Sequence, residues 1–297
     1  MRQRRTSHPG IWLLGVVVTA SMACGRDATS VPATAPSGQT IKPQQADTPP
    51  ATTAPTTQPT TAPATQPTEY LRPAPPAARM HVQARHAMVD RQIANPRDDR
   101  LPVTNERVLE AMRTVPRHVF VPAGIARLAH ADRPLAIGHD QTISQPYIVA
   151  LMTELLAVTP QSRILEIGTG SGYQAAVLAH LTPHVYTIEI VAPLGRTAAR
   201  VLKEQGYDEV HCRIGDGYRG WPEAAPFDGI LVTCAAEDIP RPLWDQLRPG
   251  GRIVIPVGPE HQVQNLVVVH KRPDGGRRTE TISTVRFVPM TGEAQRQ

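Results

Sequence analysis

The chain has 297 residues, with 31 Lys+Arg against 26 Asp+Glu and a formal net charge of +5. Beyond the first few residues the excess is spread thinly, with no Lys/Arg run of the kind that lines a nucleic-acid groove. Aromatic residues make up only 4% of the chain, which argues against a base-stacking platform, so no nucleic-acid partner is expected.

The N-terminus opens with Arg2, Arg4 and Arg5, continues through an apolar stretch at 11–20, and reaches Ser21-Met-Ala-Cys24. The apolar part is too short to span a bilayer comfortably, and small residues at Ser21 and Ala23 suit cleavage before Cys24. Residues 1–26 therefore read as a signal peptide. The segment also resembles a bacterial lipoprotein leader, with Cys24 as the lipid-bearing residue and Ser21 in place of the usual leucine. The expectation is an exported chain, periplasmic or attached to a membrane through a lipidated Cys24. The alternative is a cytoplasmic protein whose true start is near Met80. Residues 27–79 are almost entirely Pro, Thr, Ala, Gln and Ser. They cannot bury enough apolar surface to offset the entropy of ordering, and they read as a disordered, extended tether.

Residues 80–297 have the composition of one globular domain, large enough to bury a good core and expected to be monomeric. Helices are predicted over 81–94 and 105–115. In the second, Val108, Leu109, Met112 and Val115 share a face, and Thr104 or Asn105 can cap its start. Residues 117–143 read as loop-rich. A helix follows over 146–157, with Pro146 in its first turn. Strands are then predicted at 163–167, 184–190, 210–214, 227–233 and 251–257, with helices near 172–181, 192–205 and 239–247. This alternation specifies an α/β fold, a doubly wound, mostly parallel, Rossmann-like sheet. Strands at 265–270 and 281–287 flank Pro-Asp-Gly-Gly and read as a C-terminal antiparallel hairpin.

The richest chemical signal is Leu165-Glu-Ile-Gly-Thr-Gly-Ser-Gly-Tyr173. A strand, a glycine turn and a helix let backbone N–H groups approach a ligand closely. Gly168, Gly170 and Gly172 are spaced GxGxG, whereas the dinucleotide fingerprint needs its third glycine one residue later. With Glu166 two residues before the first glycine, the pattern fits a nucleoside cofactor bearing an amino group and no pyrophosphate, which points to S-adenosylmethionine. The cofactor-binding candidates here are Glu166, Gly168, Thr169, Gly170, Ser171 and Gly172. Ligands in such a sheet bind beyond the carboxyl ends of the strands. Glu189 ends the next strand, where a carboxylate can accept both ribose hydroxyls. Asp216-Gly217 ends the third, suited to the adenine amino group, and Thr233 to Ala236 end the fourth. No Asn/Asp-Pro-Pro-Tyr/Phe run follows that fourth strand, which argues against a base-flipping enzyme. Cys212 and Cys234 read as small buried hydrophobes, and the histidines show no metal-ligand spacing, so no metal is expected.

The last signal is Gln141-Thr-Ile-Ser-Gln-Pro146. Hydroxyls ahead of a helix start can hold a carboxylate, because helix N-termini favour anions. Thr142 and Ser144 are the candidates, with helix capping by Ser144 as the alternative.

Residues 85–292 resemble the protein-L-isoaspartate O-methyltransferases. The resemblance rests on Val-Pro-Arg-His-Val-Phe-Val-Pro at 115–122, the Gln141–Pro146 run, the glycine loop, Gly215-Asp-Gly-Tyr218 and Arg286-Phe-Val-Pro-Met290. The Thr-Ile-Ser run is the more diagnostic, since many methyltransferases share the glycine loop. The resemblance implies methyl transfer from S-adenosylmethionine to the free carboxylate of isoaspartyl residues in damaged proteins or peptides. Repair then proceeds through a succinimide. It makes Ser144 the catalytic serine and places Gln141, Thr142, Ile143, Gln264 and the residues above around the donor. Two departures stand out: His139-Asp140 replaces a Gly-Ala or Gly-Gly pair, and the leader and tether precede an enzyme that is ordinarily cytoplasmic. A methyltransferase of the same fold acting on another carboxylate or a small molecule is the alternative.

Overall fold

The computed structural model describes Tyr70 and residues 72–296. The expected leader with Cys24, and the tether as far as residue 69, lie outside the described residues. The expected disordered boundary at residue 79 needs correction. From Arg72 onward the chain packs against the domain. The Arg72 guanidinium lies 4.3 Å from the Tyr207 ring centroid and pairs with Glu209. A 3-10 turn spans Pro76–Arg79, and Ala77 N–H donates to Gln205 Oε1 at 3.2 Å.

Helix α1 (Val82–Met88) runs on through a π turn at Val89–Ile93, together covering the predicted 81–94 helix. Helix α2 (Glu106–Thr114) starts at Asn105, whose side chain accepts from Arg107 and Val108 N–H, satisfying donors that an uncapped helix leaves open. The loop-rich reading of 117–143 missed regular structure. Two 3-10 turns at Arg117–Phe120 and Ala123–Leu128 lead into an antiparallel pair, β1 (Leu135–Gly138) and β2 (Gln141–Ile143). Short strands with little alternation leave no period-2 signal to read. Helix α3 (Pro146–Leu156) follows.

The main sheet then forms from β3 (Ile164–Ile167), β4 (Val185–Glu189), β5 (His211–Ile214), β6 (Phe227–Val232), β7 (Leu247–Val257), β8 (Gln264–Lys271) and β9 (Arg277–Val285). Helices α4 (Tyr173–Ala179), α5 (Ala192–Glu204) and α6 (Arg241–Gln246) connect the strands. The order is β5-β4-β3-β6-β7-β8-β9, parallel through β7 and antiparallel beyond it. The expected mostly parallel, doubly wound sheet with a C-terminal hairpin is what the chain builds.

Alternate residues of one strand feed different cores, as the two-residue period of a strand requires. Ile164, Leu231, Val254 and Leu266 join the cluster containing α2, α3 and α4. Leu165, Ile230, Ile253 and Val267 join the cluster under α6. Burial on both faces explains why these strands read as continuous apolar runs. The chain leaves β3 for β4 on one side and returns to β6 on the other, so the carboxyl end of β3 is the topological switch point where ligands bind.

Candidate active site

The glycine loop fills that switch point, and its geometry explains its composition. Gly168, Gly170 and Gly172 have φ of 94°, 54° and 89°, in the left-handed region that side chains disfavour. A Cβ at Gly168 would stand 2.4 Å from Thr233 Oγ1. That hydroxyl donates to the carbonyls of Ile167 at 3.0 Å and Gly168 at 2.7 Å, tying β6 to the loop.

Most backbone donors of the loop are already used. Gly168 and Thr169 N–H reach Ile188 O, Gly172 N–H reaches Thr169 O at 2.8 Å, and Gly170 N–H reaches Glu189 Oε2 at 2.7 Å. The other oxygen of Glu189 accepts from Val191 N–H at 2.9 Å. Glu189 is buried yet borders the cleft, beside Gly168, Gly170, Gly217 and Thr233. No Lys, Arg or His lines this cleft. A pyrophosphate would therefore meet a carboxylate and spent N–H groups. A nucleoside with hydroxyls and a cationic centre meets the reverse, so the residues present fit S-adenosylmethionine.

Gln141 and Thr142 form one edge of the cleft, and the segment after β9 forms another, with Val288 to Thr291 in the lining. That segment is held by Ala235 N–H to Val288 O at 2.8 Å and Met290 N–H to Ala235 O at 2.7 Å. Sequence reasoning quoted the 286–290 run but did not see it as a cleft wall. It also missed Ile188, Ile190 and Val191 around Glu189. The available signal was position, since every strand end at a switch point borders the ligand.

Several expected cofactor residues stand behind or beside the cleft lining. Glu166 is fully buried behind the loop and does not line the cleft. Its Oε2 accepts from Thr187 Oγ1 at 2.6 Å, and Thr187 is 2.7 Å from Thr169 Oγ1. Burial, opposed by the Thr187 hydrogen bond, pushes its carboxyl up to about 8. Strand alternation is the reason: Ile167 faces the cleft, so Glu166 faces the opposite layer. Gln264 is also buried away from the lining. Its Oε1 accepts from Phe287 N–H at 2.9 Å and its Nε2 donates to Pro259 O at 3.2 Å. It therefore anchors the C-terminal wall. Asp216 accepts from Tyr218 N–H at 3.0 Å and from Glu293 N–H at 2.8 Å, one bond to each carboxylate oxygen, and stands directly beside Gly217 of the cleft lining. Thr169, Ser171, Gly172 and Ile143 shape the loop and hairpin from outside the lining. Cys212, expected buried, is exposed on edge strand β5, while Cys234 borders the cleft with its thiol pushed up to about 12 by burial.

Ser144 joins β2 to α3 and is half-buried. The helix cap is Gln145, whose side chain makes no capping bond, so Ser144 is not the cap. The adjoining hairpin turns at Gly138, His139 and Asp140 with φ of 93°, 53° and 57°. Positive φ at two non-glycine residues is backbone strain beside the cleft.

The family model for Protein-L-isoaspartate(D-aspartate) O-methyltransferase (PCMT) matches residues 88–295. The chain belongs to this family. It is 59% identical over 215 residues to a protein-L-isoaspartate O-methyltransferase of Opitutus terrae, covering 72% of this chain and 90% of that one. It is 58% identical over 192 residues to a protein-L-isoaspartate O-methyltransferase 2 of Polaromonas sp., covering 65% and 91%. A solved protein-L-isoaspartate O-methyltransferase superposes with a TM-score of 0.58 at 28% identity, covering 65% of this chain and 63% of that one. A Plasmodium falciparum structure in complex with S-adenosyl-L-homocysteine matches with a TM-score of 0.57 at 24% identity, covering 70% and 98%, which speaks to the fold. Within the isoaspartyl methyltransferase family the doubly wound sheet, the glycine loop and the Gln141–Pro146 run thus fall in one matched block.

Among the described residues no group of three or more His, Cys, Asp or Glu is arranged to hold a metal, and no helix is long and apolar enough to cross a membrane.

Proposed function

We propose that this chain methylates the free carboxylate of L-isoaspartyl residues in damaged proteins or peptides, using S-adenosylmethionine, and so initiates their repair. Family membership over residues 88–295 carries the reading, and a cleft with one buried carboxylate and no cationic residue supports the donor. S-adenosylmethionine supplies a methyl group activated on a sulfonium. The chain's own work is binding, alignment and exclusion of water. Glu189, fixed by two backbone N–H bonds, keeps lone pairs free to accept ribose hydroxyls. Ile188, Ile190 and Met290 line the cleft and would give the base an apolar surround. The isoaspartyl carboxylate is ionised at neutral pH, so no residue is required as a general base. Ser144, with no capping duty, orients that carboxylate through its hydroxyl and is not a covalent nucleophile.

The test is incubation of the full chain with methyl-labelled donor and a peptide carrying one isoaspartyl bond. Base-labile label in the peptide is the expected result. Bound donor with no label transfer contradicts the reading.

We also propose that the leader exports the chain and that Cys24 carries lipid, on the basic, apolar and small-residue pattern of residues 1–24. Mass spectrometry of the native N-terminus tests it: a chain starting at unmodified Met1 or at Met80 contradicts export.

A further inference from the structure

We infer that Arg117 is a positioning residue for methyl transfer, holding Ser144 in place against the helix that follows the glycine loop. The inference rests on the reading of Ser144 as the group that orients the carboxylate.

Arg117 is fully buried. Its Nε–H donates to Ala129 O at 2.7 Å, and its Nη2–H donates to Ser144 O at 2.7 Å. The guanidinium carbon lies over the ring of Tyr173, 4.7 Å from its centroid. Tyr173 is the first residue of α4, directly after Gly172. One rigid, planar cation thus touches the segment that carries Ser144 and the helix that begins at the glycine loop.

The Ser144 carbonyl lies outside the α3 ladder, whose first bond runs from Val149 N–H to Gln145 O. Burying a guanidinium whose hydrogen bonds end on carbonyls is expensive, and an apolar side chain of similar volume is often the more stable filling. Retaining the cation here fits a need for geometry. A displacement of about 1 Å at an aligning group can cost on the order of a hundredfold in rate. Lysine cannot replace it, because a single ammonium lacks the planar fork that reaches two carbonyls while lying over a ring.

Arg85 supplies an internal control. It is equally buried and also donates to backbone carbonyls, those of Arg113, Met80 and Ala78. None of those carbonyls belongs to a residue of the cleft or of the Gln141–Pro146 run.

The experiment compares Arg117→Met, Arg117→Lys, Arg85→Met, Ser144→Ala and the Arg117→Met/Ser144→Ala double variant in the full chain. Thermal stability, donor affinity and the single-turnover rate at saturating donor and isoaspartyl peptide are read for each. Arg117→Met is expected to slow methyl transfer about 10- to 100-fold with donor affinity within about threefold of wild type. Arg117→Lys should be slowed by about tenfold at least, and Arg85→Met should keep its rate within about threefold whichever way its stability moves. The double variant should be no slower than the slower single one, because both changes remove the same alignment. Equal rate losses in Arg85→Met and Arg117→Met, tracking stability alone, overturn the assignment. If Arg117→Met does not fold, a wild-type rate in Arg117→Lys overturns it. Ser144→Ala at wild-type rate removes both this inference and the reading beneath it. A slow Ser144→Ala beside an Arg117→Met that matches Arg85→Met removes this inference alone.

Discussion

The two walls of the cleft are held by different means. The donor wall, from Gly168 to Gly172 with Glu189 and Thr233, is fixed by hydrogen bonds among its own members and the strand end beside it. Its N–H groups end on Ile188 O, Thr169 O and Glu189, and its carbonyls receive the Thr233 hydroxyl. The proposed acceptor wall, from β1 through Ser144, is a short hairpin with two non-glycine residues at positive φ, and its Gln141 and Thr142 line the cleft. Side chains distant in sequence hold it, Arg117 to Ser144 O and Gln145 Nε2 to Asp132 O at 3.2 Å. A wall bonded within itself suits uniform binding of a cofactor, and a wall held by groups outside it can be shaped to one substrate. Changes to the first should therefore appear in donor affinity, and changes to the second in rate.

Gly168→Ala should do the most damage. A methyl group at a φ of 94°, 2.4 Å from Thr233 Oγ1, must displace the bond that joins β6 to the loop. Backbone strain alone is about 1–3 kcal/mol. Loss of measurable donor binding by calorimetry is expected; a variant with wild-type affinity breaks the picture of a rigid donor wall. Glu189→Ala comes next. Up to two charged hydrogen bonds to the donor are lost, at about 1.5–3 kcal/mol each in affinity. Turnover at saturating donor should change little, since those contacts are the same in ground and transition states. Reduced turnover with unchanged affinity would place Glu189 on the wrong side of the comparison.

Ser144→Ala should show the opposite split. Donor affinity and melting temperature stay close to wild type, because the hydroxyl caps nothing, while single-turnover methylation falls by up to about a hundredfold. A destabilised but fully active variant restores the capping role.

The smallest effect on methyl transfer is expected from Glu166→Gln, and its signature lies in pH. The folded-state carboxyl is raised from 4.5 to about 8, so the folded chain holds a proton that the unfolded chain has released. That contribution to stability is complete below about pH 4.5, declines as pH rises and is gone above about pH 8. Denaturant titrations should show the decline in wild type and a flatter profile in the glutamine variant, with donor affinity preserved. A glutamine variant that loses the donor would return Glu166 to the cleft.

The same contrast governs what could be read in the sequence. The donor wall is written in local spacing. Three glycines after an apolar strand have one economical conformation, and the strand end at Glu189 and the turn after β5 at Gly217 fall where the alternation of elements puts them. What spacing could not show was which way Glu166, Asp216 and Gln264 turn. Glu166 follows strand alternation into the far layer, and Asp216 and Gln264 are claimed by Glu293 N–H and Phe287 N–H, partners distant in sequence. The hairpin at 135–143 was illegible because strands of three and four residues carry no period. Arg117 was visible only as one letter of a family run; its partners at residues 129, 144 and 173 exist only once the chain is folded.

The central claim is that the acceptor wall selects an isoaspartyl carboxylate. Its most direct test uses two peptides identical except for one residue, isoaspartyl in one and normal aspartyl in the other. Each is incubated with the full chain and methyl-labelled S-adenosylmethionine, and base-labile label is measured over time. The account predicts label in the isoaspartyl peptide and none above background in its isomer. Equal labelling of the two, or no labelling of either while the donor is bound, would contradict it.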